Sequence, residues 1–399
     1  MAGEGSKTQF AIIDEVEPGV TPTGVPLEIV RSTDNDIAYR PEQTSSREIS
    51  TARAVTDEIR TGAQVSGTLN TEIPFGNLEK LILGALQSDA ATAGALGSAS
   101  FGSQNVNGPS TVDFTSNQIQ GTGIGVGIGA GDLIQVAGAD DATNNGFLDV
   151  TARTDDSITV SQTLVPDVGD AGVVVSNGAV QTNGSLLRTF TGERIHRDAA
   201  GVGSDLTDVF TGLAVESMSV NVQPGSILTA AWCMRGEIYS AGTSEIGSTP
   251  YSTPSASGPI FNGVNNCIVL LGGTQVTGNA GVGATQFTME LQNGLQPRDS
   301  IGVEGSASIG NGTLSVSGQL NIYMNSNTEV QRMIDDGETS IAVLLVSGSG
   351  TYGITLPRIK YRAAPRNVQG VNTNTILELN YGALNDADLG YAIKWQKWT

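Results

Sequence analysis

Two segments of the chain alternate apolar and polar residues without interruption. In residues 64–73, one face carries Val65, Gly67, Leu69, Thr71 and Ile73, and the other carries Ser66, Thr68, Asn70 and Glu72. In residues 315–324, one face carries Val316, Gly318, Leu320, Ile322 and Met324, and the other carries Ser315, Ser317, Gln319 and Asn321. A period of two places successive side chains on opposite sides of a β-strand. Each segment therefore predicts a strand with one buried face, in a chain that is mainly β.

A helical pattern follows each of these strands. The segment NLEKLILGALQS repeats Leu, Ile and Ala at helical spacing, with Asn77 as its predicted N-cap. The segment TEVQRMIDDG has Thr328 and Gln331 at capping-box spacing and Gly337 as a predicted stop. Because both strands also share the letters VSGxL, we infer an internal duplication, with chance recurrence in a Gly- and Ser-rich chain as the alternative.

Composition agrees with many short strands. The chain has 399 residues, of which 52 are Gly, and only 15% are charged, against about 25% in an average globular protein. The length allows two or three domains. The net charge of −20 disfavours simple binding to nucleic acid or to an anionic membrane. No signal peptide and no membrane-spanning segment is predicted, so we expect synthesis and retention in a cytoplasm.

The chain divides into three predicted regions. Residues 1–95 form a first half that opens with an extended, Pro-punctuated arm. Residues 96–182 contain nine Asp, one Arg and no Glu or Lys, and are predicted to form a small inserted acidic β-domain, with TAGALGSAS and SNGAVQTNGS as its linkers. Residues 183–399 form the second half. They include a loop at 240–259 that is too long for an ordinary connection and is either mobile or ordered by a partner.

None of the candidate motifs predicts catalysis. The glycine-rich segment Gly121–Asp132 has a period of two and is followed by a strand, so it indicates a Gly-rich strand or loop rather than a nucleotide-binding turn. The only histidine, His196, has no nucleophile motif to accompany it. Adjacent Asp pairs are typical of turns, and Cys233 and Cys267 fit no metal-ligand spacing. No catalytic, cofactor-binding or metal-binding residue is therefore predicted, and the protein is not expected to be an enzyme.

Taken in order, these segments resemble the major tail tube proteins of long-tailed bacteriophages. EPGVTPTGVPLEIVRST resembles the N-terminal arm of that family, and SSREISTARAVTDEIRTGAQVSGTLNTEIPFGNLEKLILGAL resembles its most recognisable block. GDLIQVAGADDATNNGFLDVTA is similar to the inserted β-domain of some members, and VSGQLNIYM, YGITLPRIKY and YGALND follow near the end. Simple tube proteins are much smaller, so the insertion and the 240–259 loop depart from the minimal pattern.

The resemblance implies a β-sandwich or barrel with short flanking helices, and a structural protein of the virion tail made in a bacterial cytoplasm. It implies stacked homo-oligomeric rings, commonly sixfold; duplicated halves would allow threefold rings instead. Tail tip, tape measure and tail terminator proteins are the implied partners, and phage DNA passes through without specific binding. We expect the arm and the 240–259 loop to order on a neighbouring subunit, and the insertion to decorate the outside.

A DNA conduit needs a wall that does not bind phosphates, because each phosphate neutralised by Lys or Arg strengthens DNA binding. No Lys or Arg occurs in residues 61–79 or 299–331. The polar faces of the two alternating segments are therefore predicted to line the channel; the alternative is an ordinary solvated sheet surface. The predicted lumen-facing residues are Ser66, Thr68, Asn70, Glu72, Ser315, Ser317, Gln319 and Asn321.

Two other classes of function remain open at this point. One is a non-enzymatic β-rich protein such as a capsid decoration protein, an adhesin or a surface-layer subunit. The other is a tailspike-like glycan hydrolase, which would require a regular β-helix period and converging acidic residues.

Overall fold

The fold of the chain is dominated by antiparallel β-sheets. The computed structural model describes residues 3–49, 54–88, 105–198, 205–247, 250–253, 260–263, 267–277, 283–324, 326–367, 370–371 and 374–399. The prediction of a mainly β protein is confirmed. Among these residues, no helix is long and apolar enough to cross a membrane.

The chain begins with five strands and a helix. They are β1 (Gly3–Asp14), β2 (Glu28–Val30), β3 (Ser32–Asn35), β4 (Ala38–Ser45), β5 (Glu58–Glu72) and α1 (Glu79–Leu86). Strand β5 contains the first alternating segment. Its Val65, Leu69 and Thr71 are buried, as the period of two predicts.

The N-terminal arm is part of this fold rather than an unpaired extension. Strand β1 pairs antiparallel with a strand at Phe190–Asp198, over most of its length. The segment FAII has apolar residues at four consecutive positions, so β1 is buried on both faces: Phe10 and Ile12 lie in the main core, and Ala11 and Ile13 in a second cluster. The expectation that the arm needs a neighbouring subunit to become ordered is therefore wrong for this part of it.

The inserted region consists of short strands around a core of its own. They are β6 (Asn105–Asn107), β7 (Val112–Phe114), β8 (Gln118–Gln120), β9 (Leu133–Ala137), a 3-10 turn (Ala142–Asn144), β10 (Gly146–Thr154), β11 (Ser157–Val160), β12 (Asp167–Asp170) and β13 (Val174–Thr182). Its fifteen clustered core residues all lie between Val112 and Val175.

The glycine-rich segment of this insertion forms consecutive turns rather than a strand. The amides of Ile124, Val126 and Ile128 each bond a carbonyl three residues earlier. Glycines 123, 127 and 131 have φ between 71° and 77°, a region that favours Gly. Because the chain turns every few residues, Ile124 and Ile128 are buried while Val126 is half exposed, so the two-residue period does not produce a strand here.

After the insertion, four strands complete the N-terminal unit. They are β14 (Phe190–Asp198), β15 (Leu206–Val222), β16 (Thr229–Gly236) and β17 (Ile238–Gly242). Strand β16 pairs with β5 on one side and with β15 on the other. The pairings therefore group β14–β17 with the strands that precede the insertion, whereas the predicted division of the chain places them in the second half.

The C-terminal unit contains the remaining elements. They are β18 (Cys267–Leu271), β19 (Thr274–Gln275), β20 (Ala284–Gln292), β21 (Gln296–Asp299), β22 (Ser306–Gly310), β23 (Ser315–Tyr323), α2 (Thr328–Ile334), β24 (Glu338–Ser347), β25 (Gly350–Ala363), β26 (Arg366–Asn367), β27 (Ile376–Ala383) and β28 (Lys394–Trp398).

The two units repeat the same strand pairings in the same chain order. The pair β1–β2 corresponds to β18–β19, β1–β14 to β18–β24, β4–β5 to β20–β23, β5–β16 to β23–β27, β14–β15 to β24–β25, and β15–β16 to β25–β27. Even the irregularities match: the register shifts at Glu216 in β15 and at Arg362 in β25. The helices α1 and α2 follow the corresponding strands β5 and β23.

The helix ends differ from the predicted caps. Helix α1 begins after Leu78, with no side-chain cap, because the Asn77 side chain instead bonds the Arg31 amide at 3.0 Å and the Ile29 carbonyl. Helix α2 begins after Asn327, and its Gln331 side chain bonds Asp335 rather than closing a capping box.

The insertion is joined to the body through a shared strand and a buried ion pair. Strand β13 pairs with β9 inside the insertion and with β28 of the body, so the stretch predicted as a linker is largely strand. The Lys394 ammonium donates to the Asp132 carboxylate. It also donates to the Gly131 carbonyl, at a distance of 2.6 Å. Lys394 is only 1% exposed, and burial lowers its pKa. The insertion is therefore anchored on the C-terminal strand.

Replacing Asp132 with Ala should leave the Lys394 ammonium buried without its carboxylate. Breaking a buried ion pair in this way costs about 3–5 kcal/mol, so we expect a loss of that size in the free energy of unfolding, measured in urea. Asp155→Ala is the matched control because its partner Arg153 lies 3.0 Å away at the exposed surface of the insertion. A similarly small effect of both substitutions would contradict the anchoring role of Asp132.

Candidate functional site

One continuous sheet connects the two units. Its strand order is β4, β5, β16, β15, β20, β23, β27 and the end of β25, and every neighbouring pair is antiparallel. Residues opposite each other in such a pair point to the same side. One row runs Glu72, Thr229, Asn221, Thr288, Gln319 and Asn380 across six strands. At about 4.8 Å between strands, this row spans about 24 Å.

All eight predicted lumen-facing residues lie on the same side of this sheet. Ser66, Thr68, Asn70 and Glu72 come from β5, and Ser315, Ser317, Gln319 and Asn321 come from β23. All are partly or fully exposed, while the residues between them are largely buried. The structure places the two predicted sets on one face, with strands β16, β15 and β20 between β5 and β23. Their role as channel lining stays a prediction.

Four more strands contribute to this surface, beyond the two that the alternating segments predict. We define the polar face as the eight predicted residues together with Thr229, Ala231, Cys233 and Arg235 of β16, Ser217, Ser219 and Asn221 of β15, Gln286, Thr288, Glu290 and Gln292 of β20, and Glu378, Asn380 and Gly382 of β27. The alternation in SMSVNV and TMEL was a usable signal. The sequence does not show the pairing register, which decides which side of each strand faces the core and which faces the solvent.

The polar face carries few charges. Three of its residues are carboxylates, Glu72, Glu290 and Glu378, and one is a cation, Arg235. The Arg235 guanidinium lies 2.8 Å from the carboxylate of Glu216, the bulge residue of β15. This cation is therefore neutralised by a neighbour within the chain, and the face on these six strands is neutral to acidic, while Arg40 of the edge strand β4 lies beyond it on the same side.

The opposite side of the sheet is the main hydrophobic core. Trp232 and Thr71 lie there, and the Trp232 indole N–H donates to the Thr71 hydroxyl at 3.0 Å. In the C-terminal unit the Tyr381 hydroxyl donates to the Thr288 carbonyl at 2.9 Å, and burial raises the pKa of Tyr381. One core cluster includes residues of both units, so the polar face is supported along its length by continuous packing.

His196 belongs to an ion network rather than to the polar face. Its Nε2 lies 3.1 Å from the Asp208 carboxylate, which also accepts from Arg194 and Tyr239. Burial alone would raise the pKa of Asp208, but the hydrogen bonds from these three side chains lower it below the usual value. The network connects β14, β15 and β17, and His196 is half-buried within it.

Comparison with known protein families gives one match. The family model described as phage tail tube protein matches residues 5–383. The chain belongs to the phage tail tube protein family. A search of curated proteins found no match to the chain.

The tail tube protein is therefore a structural component of a bacteriophage virion tail, as the sequence resemblance predicted. The family match agrees with the mainly β fold. Among the residues with described positions, no group of three or more His, Cys, Asp or Glu side chains could hold a metal ion.

Both units of the tail tube protein need a glycine at the same point of the VSGxL motif. A Cβ on Gly67 would lie 2.4 Å from the Ile37 Cα, and a Cβ on Gly318 would lie 2.0 Å from the Thr288 carbonyl oxygen. In each case the obstacle is backbone, which cannot rotate away: the connection between β3 and β4 beside Gly67, and strand β20 beside Gly318. The repeated glycine therefore has a steric cause.

Gly318→Ala should destabilise the tail tube protein because the neighbouring strand β20 must shift to admit the methyl group. Overpacking of this kind costs about 1–3 kcal/mol, which thermal unfolding would detect as a lower midpoint. Gly348→Ala is the control, since no atom lies within 4 Å of its Cβ position. Equal midpoints for the two variants would refute the steric explanation.

Proposed function

We propose that this tail tube protein assembles into stacked rings around a channel, and that its polar face lines the channel through which genomic DNA passes. The observation that carries the proposal is the continuous sheet, which presents polar side chains across six strands of both units. On these six strands Arg235 is the one cation among the residues of the polar face, and a solvated sheet surface without a role in transport would not need so few cations.

The chemistry of the polar face suits rapid passage of a polyanion. Binding of a protein to DNA gains free energy from counterions released when Lys or Arg contacts phosphates. The hydroxyls and amides of this face offer no such gain, and Glu72, Glu290 and Glu378 repel phosphates. Arg235 is held by Glu216 at 2.8 Å, so it offers little unneutralised charge. DNA is kept near the channel axis and meets no strong binding site.

The repeated pairings favour three copies in each ring. If each unit corresponds to one subunit of a sixfold ring, three chains supply the same six units. A ring of six chains is the alternative. A closed ring requires head-to-tail contacts, in which two different surfaces of neighbouring copies meet.

The layer order of the chain supports an outward position of the insertion. Strands β18 and β24 place Val269 and Val343 in the main core, and Leu270 and Leu344 on their other side against Leu133 of the insertion. The insertion therefore lies across the core from the polar face. Tail tip and tape measure proteins, and a tail terminator, are the proposed partners of the stack.

Negative-stain electron microscopy of the concentrated protein tests the assembly. We expect hollow rings or tubes with a stain-filled centre, and threefold symmetry in two-dimensional averages of end views. Sixfold averages in which every chain is equivalent would replace the three-copy ring with the six-copy one. Monomers that persist at every concentration would count against self-assembly as the function.

Adding cations to the polar face tests its role in DNA passage. We expect tubes of the double variant Ser317→Lys, Gln319→Lys to retain DNA when they are assembled in the presence of short duplexes. The new lysines would bind phosphates inside the channel, and the retained DNA would be protected from nuclease. The control, Gln120→Lys with Ala152→Lys, adds the same charge to exposed positions of the insertion. Its DNA should stay sensitive to nuclease. Equal protection of the DNA in both variants would contradict the proposal that the polar face lines the channel.

A further inference from the structure

The two units meet at one pair of strands inside the chain. Strand β15 pairs with β20 over six residue pairs, from Ser217 opposite Gln292 to Val222 opposite Phe287. Alternate pairs are apolar and buried, such as Val220 with Met289. This internal junction makes a single sheet of the two units.

The internal repeat identifies the strands that correspond to this junction at the two ends of the sheet. Strand β25 corresponds to β15, and its bulge at Arg362 corresponds to the bulge at Glu216. Strands β3 and β4 correspond to β20, because each pairs with the VSGxL strand of its own unit in the same register: Leu69 is opposite Asn35, and Leu320 is opposite Phe287.

These corresponding strands are the outer edges of the sheet. Within the described part of the chain, β3 and β4 pair only with β5, and residues of β25 after Lys360 pair only with β27. Each edge carries a proline, Pro41 in one and Pro365 in the other. Proline is tolerated in sheets mainly at edges, and edge strands are templates for pairing with another chain.

A cavity beside β3 marks one of these edges as incomplete. It has a volume of about 490 Å³ and lies against Phe10, Asn35, Arg194 and His196. The corresponding cavity of the C-terminal unit, beside β20, has a volume of only about 30 Å³.

The difference has a visible cause at the internal junction. Val222 and Pro224 follow the paired part of β15 and line the small cavity together with Val269 and Phe287. In the internal repeat, Val269 corresponds to Phe10 and Phe287 corresponds to Asn35. In the N-terminal unit, none of the described residues that line the cavity corresponds to Val222; the Arg194 guanidinium instead donates to the Asn35 and Ile37 carbonyls at this edge, at 3.5 and 3.0 Å.

We propose that each copy docks the β25–β26 edge on the β3–β4 edge of a second copy, in the register of its own internal junction. Ala363 then lies opposite Arg40, as Ser217 lies opposite Gln292. The inference rests on the proposed function, since it supplies the contact that closes the ring.

Backbone geometry at the β25–β26 edge permits this ladder. The Pro365 carbonyl accepts from the Glu378 amide of β27 at 3.1 Å. In an antiparallel strand the N–H and C=O of one residue face the same neighbour, so the missing N–H of Pro365 points inward. The backbone groups of Ala364 and Arg366 point outward, toward the second copy.

Charge and polarity also fit a contact that forms after folding. The β25–β26 edge carries Arg362 and Arg366 and no acid, while residues 32–43 carry Asp34, Asp36 and Glu42 against Arg40 alone. The edges are more polar than the internal junction: Asn35 stands in place of Phe287, and Arg366 in place of Val220. Polar edges keep the free subunit soluble and resist wrong pairing.

Disulfide crosslinking tests the register. In a Cys233→Ala, Cys267→Ala background, Arg40→Cys with Ala363→Cys should link assembled copies on oxidation, because opposite residues lie about 4.5–5.5 Å apart between Cα atoms, within disulfide range. The expected product is a covalent trimer with no larger species. Ser217→Cys with Gln292→Cys is the positive control and should crosslink within one chain. Thr44→Cys with Ala363→Cys is out of register and should not crosslink.

The outcomes separate this inference from the proposed function. Tubes that form without a crosslink between positions 40 and 363, or that crosslink position 44 instead, overturn the docking register and leave the conduit intact. Absence of rings and tubes in the unsubstituted protein counts against the conduit itself. Hydrogen exchange on unsubstituted protein gives a second readout: the amides of Ala364 and Arg366 should become protected in tubes relative to monomers. Unchanged exchange there would also overturn the inference.

Discussion

The pairing of β15 with β20 is the interaction on which the rest of the structure depends. It places the strands of both units in one register, so that every alternate side chain of six strands points to the same side. A slip by one residue would move Met218 and Val220 from the core to the solvent and bring Ser219 inside. The cost of burying polar groups and exposing apolar ones therefore fixes the polar face and the core together.

The same junction explains how, in the proposed assembly, one chain can be stable alone and still pair with a second copy. The internal contact buries Phe287, Met289 and their partners in a core shared by both units. The corresponding outer edges keep polar residues, such as Asn35 and Arg366, at the matching positions. Hydrophobic burial holds the internal contact, and in the proposed docking backbone pairing with charge complementarity holds the contact between copies. The insertion is held by other means, through β13 and the buried pair of Lys394 with Asp132.

Local signals predicted the two strands and two helices well, and long-range pairing decided what they missed. The helix after Asn77 is present, but the Asn77 side chain bonds the chain near Ile29 instead of capping it. The N-terminal arm looked independent because its partner β14 lies about 180 residues later in sequence. The glycine-rich segment has the right period for a strand, yet its positive-φ glycines turn the chain instead. In each case a distant contact or a backbone angle outweighed the local pattern.

The sequence by itself determined the family, the mainly β class and the two alternating segments, because a period of two follows directly from strand geometry. It also determined which side chains of β5 and β23 avoid the core, since Ser66 and Ser317 stand between apolar neighbours. Only the tertiary structure decided that both sets lie on one face, that four other strands extend it, and that no further strand among the described residues pairs with its two edges. Those facts depend on register and strand order, which are set by contacts between residues far apart in the chain and leave no local trace in the sequence.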